Sequence, residues 1–121
     1  MMLSFDIPGP PQPKERARSG RGGRFFTPSK TRLYERHARS CASAARMAQM
    51  PRWPLDARYR VHLEVSFPDR RRRDIDNVAK AVLDASNGIL WGDDCQVDEL
   101  VMRRAVDRSS PRVHVVVEVL G

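Results

Sequence analysis

"FPDRRRRDIDNVAKAVLDASNGILWGDDCQVDEL", residues 67–100, decides how the rest of this chain is read. Pro68 stops a strand-like run, four arginines follow, and two carboxylates, Asp74 and Asp76, then stand one apolar residue apart. The apolar residues Ile75, Val78, Ala79, Val82 and Leu83 recur at helical spacing, so the chain from Asp74 to Gly88 predicts a helix. Asp74 or Asp76 lies near its start and Gly88 just past its end. After the acidic turn "WGDDCQ", "VDELVMRRAV" predicts a strand. The stretch reads as strand, basic loop, helix, acidic turn and strand.

Working outward, "RYRVHLEVSF" (58–67) alternates Tyr59, Val61, Leu63, Val65 and Phe67 on one face, the period of a half-buried strand. "LSFDIPG" near the start predicts a first strand ending at a Pro-Gly turn, and "RVHVVVEVL" a last one, joined to its predecessor by "DRSSP". Residues 9–24 mix Gly, Pro and basic residues without a period, which predicts a basic loop or an irregular hairpin. Thr27 as N-cap with Pro28 at the first helical position predicts another helix, ended by Pro51 and Pro54. Its expected buried face is Leu33, Tyr34, His37, Cys41, Ala44 and Ala45. The order predicts a single α+β domain over residues 1–121. Its sheet is expected to be mixed and mostly antiparallel, of about four strands, with two main helices packed on one side.

At 121 residues the chain can bury one core, and no apolar run approaches the ~20 residues that cross a bilayer. The start has no charged segment followed by an apolar one, so no signal peptide is expected. Cys41 and Cys95 are too few and too far apart for a disulfide framework or a zinc knuckle, which points to a reducing, cytoplasmic home. Charge is unevenly placed. Residues 1–73 carry net +11 and residues 74–121 net −4, and such asymmetry points to a polyanionic partner. Of the 22 basic residues 19 are Arg, a bias that a GC-rich coding sequence can produce, but that bias does not explain why carboxylates collect after Arg73.

The carboxylates are the candidate chemistry. At i and i+2 within a helix, Asp74 and Asp76 would face apart; at a helix boundary they can converge. If the Asp93–Asp94 loop returns beside the first helical turn, three carboxylates meet, and a hard divalent cation such as Mg²⁺ relieves their repulsion. Lys80, four residues after Asp76, is placed to neutralise one of them or to reach a phosphate oxygen. Simpler roles compete with this one: a helix cap worth about 1 kcal/mol, an ordinary "GDD" turn, an Asp76–Lys80 pair worth ~0.3 kcal/mol, a solvated arginine loop. The conjunction outweighs them, because phosphodiester hydrolysis needs both a surface that attracts the polyanion and a metal-ready acidic cluster. Other chemistries lack their residues. The three histidines are dispersed, "SGRGG" lacks the Lys-Ser/Thr ending of a phosphate-binding loop, and no nucleophile elbow is present.

The stretch from Pro68 to Val97, "PDRRRRDIDNVAKAVLDA…GILWGDDCQV", resembles the RusA family of Holliday junction resolvases. That pattern is a basic run, Asp-x-Asp-Asn, a Lys four residues after the second Asp, and Asp-Asp before a Gln-Val strand. "PQPKERAR…FFTPSKTRLYE" is more loosely similar to the family's basic segment and first helix. The resemblance implies a RusA-like fold and a Mg²⁺-binding catalytic cluster of Asp74, Asp76 and Asp94. Lys80 takes the catalytic lysine position and Arg73 the basic position beside it, while Asp93 is the lesser candidate of its pair and Asp84 stays unassigned. DNA contacts are expected from Arg70, Arg71, Arg72 and Arg73 and from Lys14, Arg16, Arg18, Arg21 and Arg24. The resemblance further implies a homodimer, with no small-molecule cofactor and no membrane, that resolves four-way DNA junctions by paired symmetric nicks in recombination and repair. Many family members are encoded by phages and prophages. A catalytically silent junction-binding protein and a broader branched-DNA nuclease are the alternatives. The intact carboxylate set speaks against the first, and a panel of cleavage substrates separates the second.

Overall fold

The computed structural model describes residues 1–15 and 29–121 in full, and between them the backbone of two short strands, Arg18–Ser19 and Phe25–Phe26. In chain order the elements are β1 (Met2–Pro8), β2 (Arg18–Ser19), β3 (Phe25–Phe26), α1 (Ser29–Gln49), β4 (Tyr59–Phe67), α2 (Ile75–Ala85), β5 (Val97–Val106) and β6 (Arg112–Val119). A single 3₁₀ turn, Asp94–Gln96, leads into β5. β2 and β3 form a two-residue antiparallel hairpin inside the basic segment. The expected Thr27–Pro28 cap lies outside the described residues.

The four long strands form one sheet in the order β1-β6-β4-β5. β1–β6 and β6–β4 pair antiparallel, whereas β4–β5 pair parallel, from Tyr59↔Val97 to Phe67↔Val106. A parallel pair needs a crossover, and α2 supplies it. The fold is the expected α+β arrangement with a mixed sheet and two helices. β5 and β6, though joined by a short turn, are not neighbours, because β4 lies between them. Asp107 fixes that turn: its N–H donates to Phe67 O at 2.8 Å across the end of β4, and its carboxylate accepts from the Ser109 and Ser110 amides and from Arg112.

The alternation read in β4 orients the sheet. Tyr59, Val61, Leu63 and Val65 are buried, while Arg60, His62 and Glu64 are not. Leu3, Phe5 and Ile7 of β1 and Val113, Val115 and Val117 of β6 complete the apolar layer. Over it lie Tyr34, Ala38 and Ala42 of α1 and Val78, Ala79 and Val82 of α2. The two helices also touch each other. Behind the start of β4, Trp53 stacks on Tyr59 at 6.0 Å and Trp91 tilts against it at 5.7 Å, each indole N–H finding an acceptor, Leu90 O and Asn87 Oδ1 respectively.

The buried face of α1 differs from the expected one. Thr31, Tyr34, Ala38, Ala42 and Ala45 are buried, whereas Leu33 is 62% exposed and His37 and Ala44 face solvent. The helix rests on small side chains that let its backbone lie close, and Thr31 Oγ1 accepts the Glu15 amide at 3.1 Å. The largest apolar residue therefore does not mark the buried side.

Candidate active site and nucleic-acid interface

Asp74 stands at the N-cap of α2 with extended backbone (φ −91°, ψ 119°), yet its side chain makes no capping hydrogen bond. An N-cap aspartate ordinarily accepts an amide of the first turn. Here the carboxylate is left exposed and, among the described residues, uncommitted. Asp76, also exposed, accepts among the described residues only the neighbouring Asn77 amide at 2.9 Å. Lys80 is exposed one turn on, and among the described residues it forms no ion pair with Asp76 or any other acid.

The arginine run divides into an exposed part and an anchored part. Arg70, Arg71 and Arg72 are exposed. Arg73 is held: its guanidinium lies over the Phe67 ring at 5.0 Å and donates to Asp69 at 2.7 Å. Arg104 from β5 lies over the same ring at 4.9 Å and donates to the Arg73 carbonyl. Asp69 also accepts the Arg71 amide at 3.0 Å. The hydrogen bond from Arg73, then that from Arg71, holds the Asp69 carboxyl well below the usual carboxylate range, at about 2. Asp69 was not singled out in the sequence, although an Asp opening a loop and bonding the amide two residues on is a familiar turn signal. Beside this loop is a cleft of about 520 Å³ lined by Asp69, Arg70, Arg104, Ala105 and Val106.

Asp94 is positioned differently. Asp93 caps the 3₁₀ turn, its carboxylate accepting the Cys95 amide at 3.2 Å while Gln96 Oε1 accepts the Asp93 amide at 2.9 Å. Gln96 in turn donates to Leu55 O and Ala57 O. That capping box engages Asp93, whose carboxyl is held low by the hydrogen bonds to Cys95, and leaves Asp94 free. Partial burial pushes the Asp94 carboxyl up, and repulsion from Asp84 and Asp93 adds to the rise. Asp84 is thus the carboxylate whose charge Asp94 meets.

The acidic loop therefore returns beside the last turn of α2 within one chain. The crossover dictates this. α2 runs back from the end of β4, so what precedes β5 must lie near its C-terminal end. Asp76 and Asp84 are eight residues apart, about 12 Å along the helix axis at 1.5 Å per residue. Among the described residues no group of three or more His, Cys, Asp or Glu is arranged to hold a metal ion. By type the donors suit a hard cation, since Asp74, Asp76 and Asp94 offer only carboxylate oxygens and none is tied up in a salt bridge among the described residues.

Lys14 packs inward. Its ammonium bonds Asp84 at 2.6 Å and Glu35 at 3.0 Å, and its amide donates to Asn77 O at 3.0 Å. Burial lowers its pKa, but the hydrogen bond it donates to Asp84 and the ion pair with Glu35 outweigh that and leave it raised. Lys14 ties the N-terminal segment along α2. The side chains of Arg16, Arg18, Arg21 and Arg24 lie outside the described residues. No helix among the described residues is long and apolar enough to cross a membrane.

Three curated proteins named crossover junction endodeoxyribonuclease RusA, from Escherichia coli K12, Escherichia coli O1:K1 and Shigella sonnei, are each 49% identical to this chain over 39 residues. The match spans 31% of this chain and about a third, 32%, of each relative's length. The family model described as endodeoxyribonuclease RusA reaches much further, matching residues 8–118 and thus nearly every element of the fold. On that match the chain belongs to the RusA endodeoxyribonuclease family.

Proposed function

We propose that this protein is a Mg²⁺-dependent, structure-selective endodeoxyribonuclease that resolves four-way DNA junctions by paired symmetric nicks, acting as a homodimer in recombination and repair. One observation carries the reading. Asp74 occupies a helix cap without capping, one residue after three exposed arginines of which only Arg71 makes an ion pair among the described residues, a long one of 3.8 Å to Asp69. A cap residue serving only stability would turn its carboxylate inward.

In this reading Arg70, Arg71 and Arg72 bind backbone phosphates and set the strand's path. Arg73, locked between Phe67, Asp69 and the Arg104 contact, fixes the loop so that the bound phosphate arrives at the start of α2. Asp74 and Asp76 at the start of α2 would hold Mg²⁺ together with Asp94, which one chain keeps at the far end of that helix and the homodimer would have to supply from the second copy. When bound the ion supplies an activated water and charge stabilisation. Lys80 places its ammonium one helical turn from Asp76, within reach of a phosphate oxygen carrying developing charge. Two-fold symmetry suits the substrate, because a junction presents two equivalent strands and a dimer two equivalent sites. Free Cys41 and Cys95 are in keeping with a reducing cytoplasm.

The test is cleavage of a synthetic four-way junction beside a linear duplex of matching sequence, with Mg²⁺ and with EDTA. Paired, ligatable nicks on the junction alone, absent in EDTA, are expected. Tight junction binding without cutting would favour a silent binder, and cutting of both substrates a broader nuclease.

A further inference from the structure

We propose that Arg104 is a positioning residue for the acidic site: by holding the Arg73 carbonyl it fixes the peptide before Asp74 and keeps that carboxylate turned out for the metal. This deepens the endonuclease reading above and rests on it for what the site holds.

The register of the sheet makes Arg104 an anomaly. In the parallel β4–β5 pair, Leu100 stands beside Val61, Met102 beside Leu63, Arg104 beside Val65 and Val106 beside Phe67. Residues paired across a ladder point to the same side of the sheet. Val61, Leu63, Val65 and Phe67 are buried on the side that the helices cover, so the four β5 residues point to that side too. Arg104 is the one charged member of this row. A strand serving only the core would carry an apolar residue there, as it does two residues before and two after; a charge in such a row calls for a role.

The guanidinium has two contacts in its own chain. It lies over the Phe67 ring at 4.9 Å and donates to the Arg73 carbonyl. Arg104 is exposed, and an exposed arginine ordinarily keeps its rotamers in water; this one is held against residues 67–73 at both ends of that stretch. The carbonyl it bonds has no partner in the ladder of α2. It precedes the N-cap, and the first helical bond is accepted by the carbonyl of Asp74 itself. Because a peptide is planar, fixing the Arg73 carbonyl also fixes the N–H of Asp74. The Arg73 side chain is held as well, by Asp69 at 2.7 Å and over the same Phe67 ring at 5.0 Å. The residue before Asp74 is thus gripped at its carbonyl and at its guanidinium, and both grips lean on Phe67. Asp74 follows at φ −91° and ψ 119°, with no capping hydrogen bond from its side chain.

Arg104 carries a charge as well as a hydrogen bond, and the two predict opposite signs. As a charge alone it repels a cation at the acidic site, so its loss would tighten metal binding. As a positioning residue it orients a ligand from behind, and its loss would weaken metal binding, by ~10–100-fold for groups of that kind. Contact with a DNA phosphate, a third role, would show in the salt dependence of DNA binding.

Arg104→Met keeps an unbranched stem against Phe67 and removes both the donor and the charge. Mn²⁺ titration without DNA, followed by electron paramagnetic resonance, should show binding weaker by about 10-fold or more. Arg72→Met, which removes one positive charge from the exposed part of the loop, should bind Mn²⁺ as the wild type does or tighter. The urea midpoint of Arg104→Met should stay near that of the wild type, since the new side chain is apolar in an apolar row. Should that variant lack the wild-type urea transition, Arg104→Lys, which keeps the charge and loses the planar fork, should weaken Mn²⁺ binding in the same direction. In EDTA the slope of log affinity for duplex DNA against log salt should be unchanged by Arg104→Met. A fall of about 0.9 would make Arg104 a phosphate contact and overturn the proposal. Unchanged or tighter Mn²⁺ binding by Arg104→Met overturns it too, as does a wild-type protein that binds no Mn²⁺. A wild type that binds Mn²⁺, loses it with Arg104 and yet cuts no branched DNA would sink the endonuclease reading and leave the positioning role standing.

Discussion

Asp74 and Asp69 are both loop aspartates within six residues of each other, and the fold treats them oppositely. Asp69 is bound by Arg73 and by the Arg71 amide, whereas Asp74 bonds nothing among the described residues. Exposed carboxylates that are neither caps nor ion pairs add negative charge beside a surface otherwise fit for DNA. Asp76→Asn should therefore cut junction cleavage on the order of 100-fold or more, the several kcal/mol of charge stabilisation a metal site supplies. Binding in EDTA should stay equal or tighten, because a phosphate-repelling charge is gone; weaker binding in a gel-shift assay would contradict the assignment. Asp69 makes a pH prediction. Its folded pKa, about 2, lies below the ordinary carboxylate value, so its contribution is fully present above that ordinary value and is lost as pH falls through about 2. The Arg71 amide resonance should hold steady from pH 7 to about 4 and shift only near pH 2. A shift centred near 4 would mean that the Asp69–Arg73 bond does not form in solution.

Among the elements, the strands were legible because period two is hard to mimic: β4, β5 and β6 fall within a residue or so of their expected limits. α2 was legible from its apolar stripe and from Gly88, whose φ of 80° is one that glycine adopts without strain. The face of α1 was not, since a periodicity reading follows large apolar residues while this helix buries alanines. Leu33→Gln should change stability by no more than about 0.5 kcal/mol. Ala42→Leu, at a fully buried position, should cost about 1–3 kcal/mol through overpacking. Urea midpoints at unchanged slope check both, and a larger loss at Leu33 would reinstate the sequence reading of that face. The placement of Asp94 was illegible for a different reason. Spacing along the chain says that two motifs are linked by a helix, but only the parallel β4–β5 crossover says that the linker ends at the far end of that helix.

For the whole molecule, the positive charge that the composition announces is not one uniform surface. Part of it is neutralised internally: Lys14 by Glu35 and Asp84, Arg58 by Asp98, Arg60 by Glu99 and Glu118, Arg112 by Asp107. Arg70, Arg71 and Arg72 stay exposed side by side, Arg71 with a long 3.8 Å ion pair to Asp69, so a dense positive patch stands on the loop that precedes Asp74. Concentrated charge has a measurable signature, because each phosphate neutralised releases condensed counterions. Replacing Arg70, Arg71 and Arg72 together by Gln should then reduce the slope of log affinity against log salt for duplex arms by about 2.7, taking ~0.9 per phosphate contact. The loss should be the same for junctions and for linear duplex at a given salt, since phosphates carry no sequence information. Folding should be unaffected, because these side chains are exposed and Arg73, the anchored member of the run, is retained. Fluorescence anisotropy across a salt series in EDTA measures the slope without cleavage. An unchanged slope would move the DNA path off this loop, and with it the reason for finding three exposed arginines beside an aspartate that declines to cap its helix.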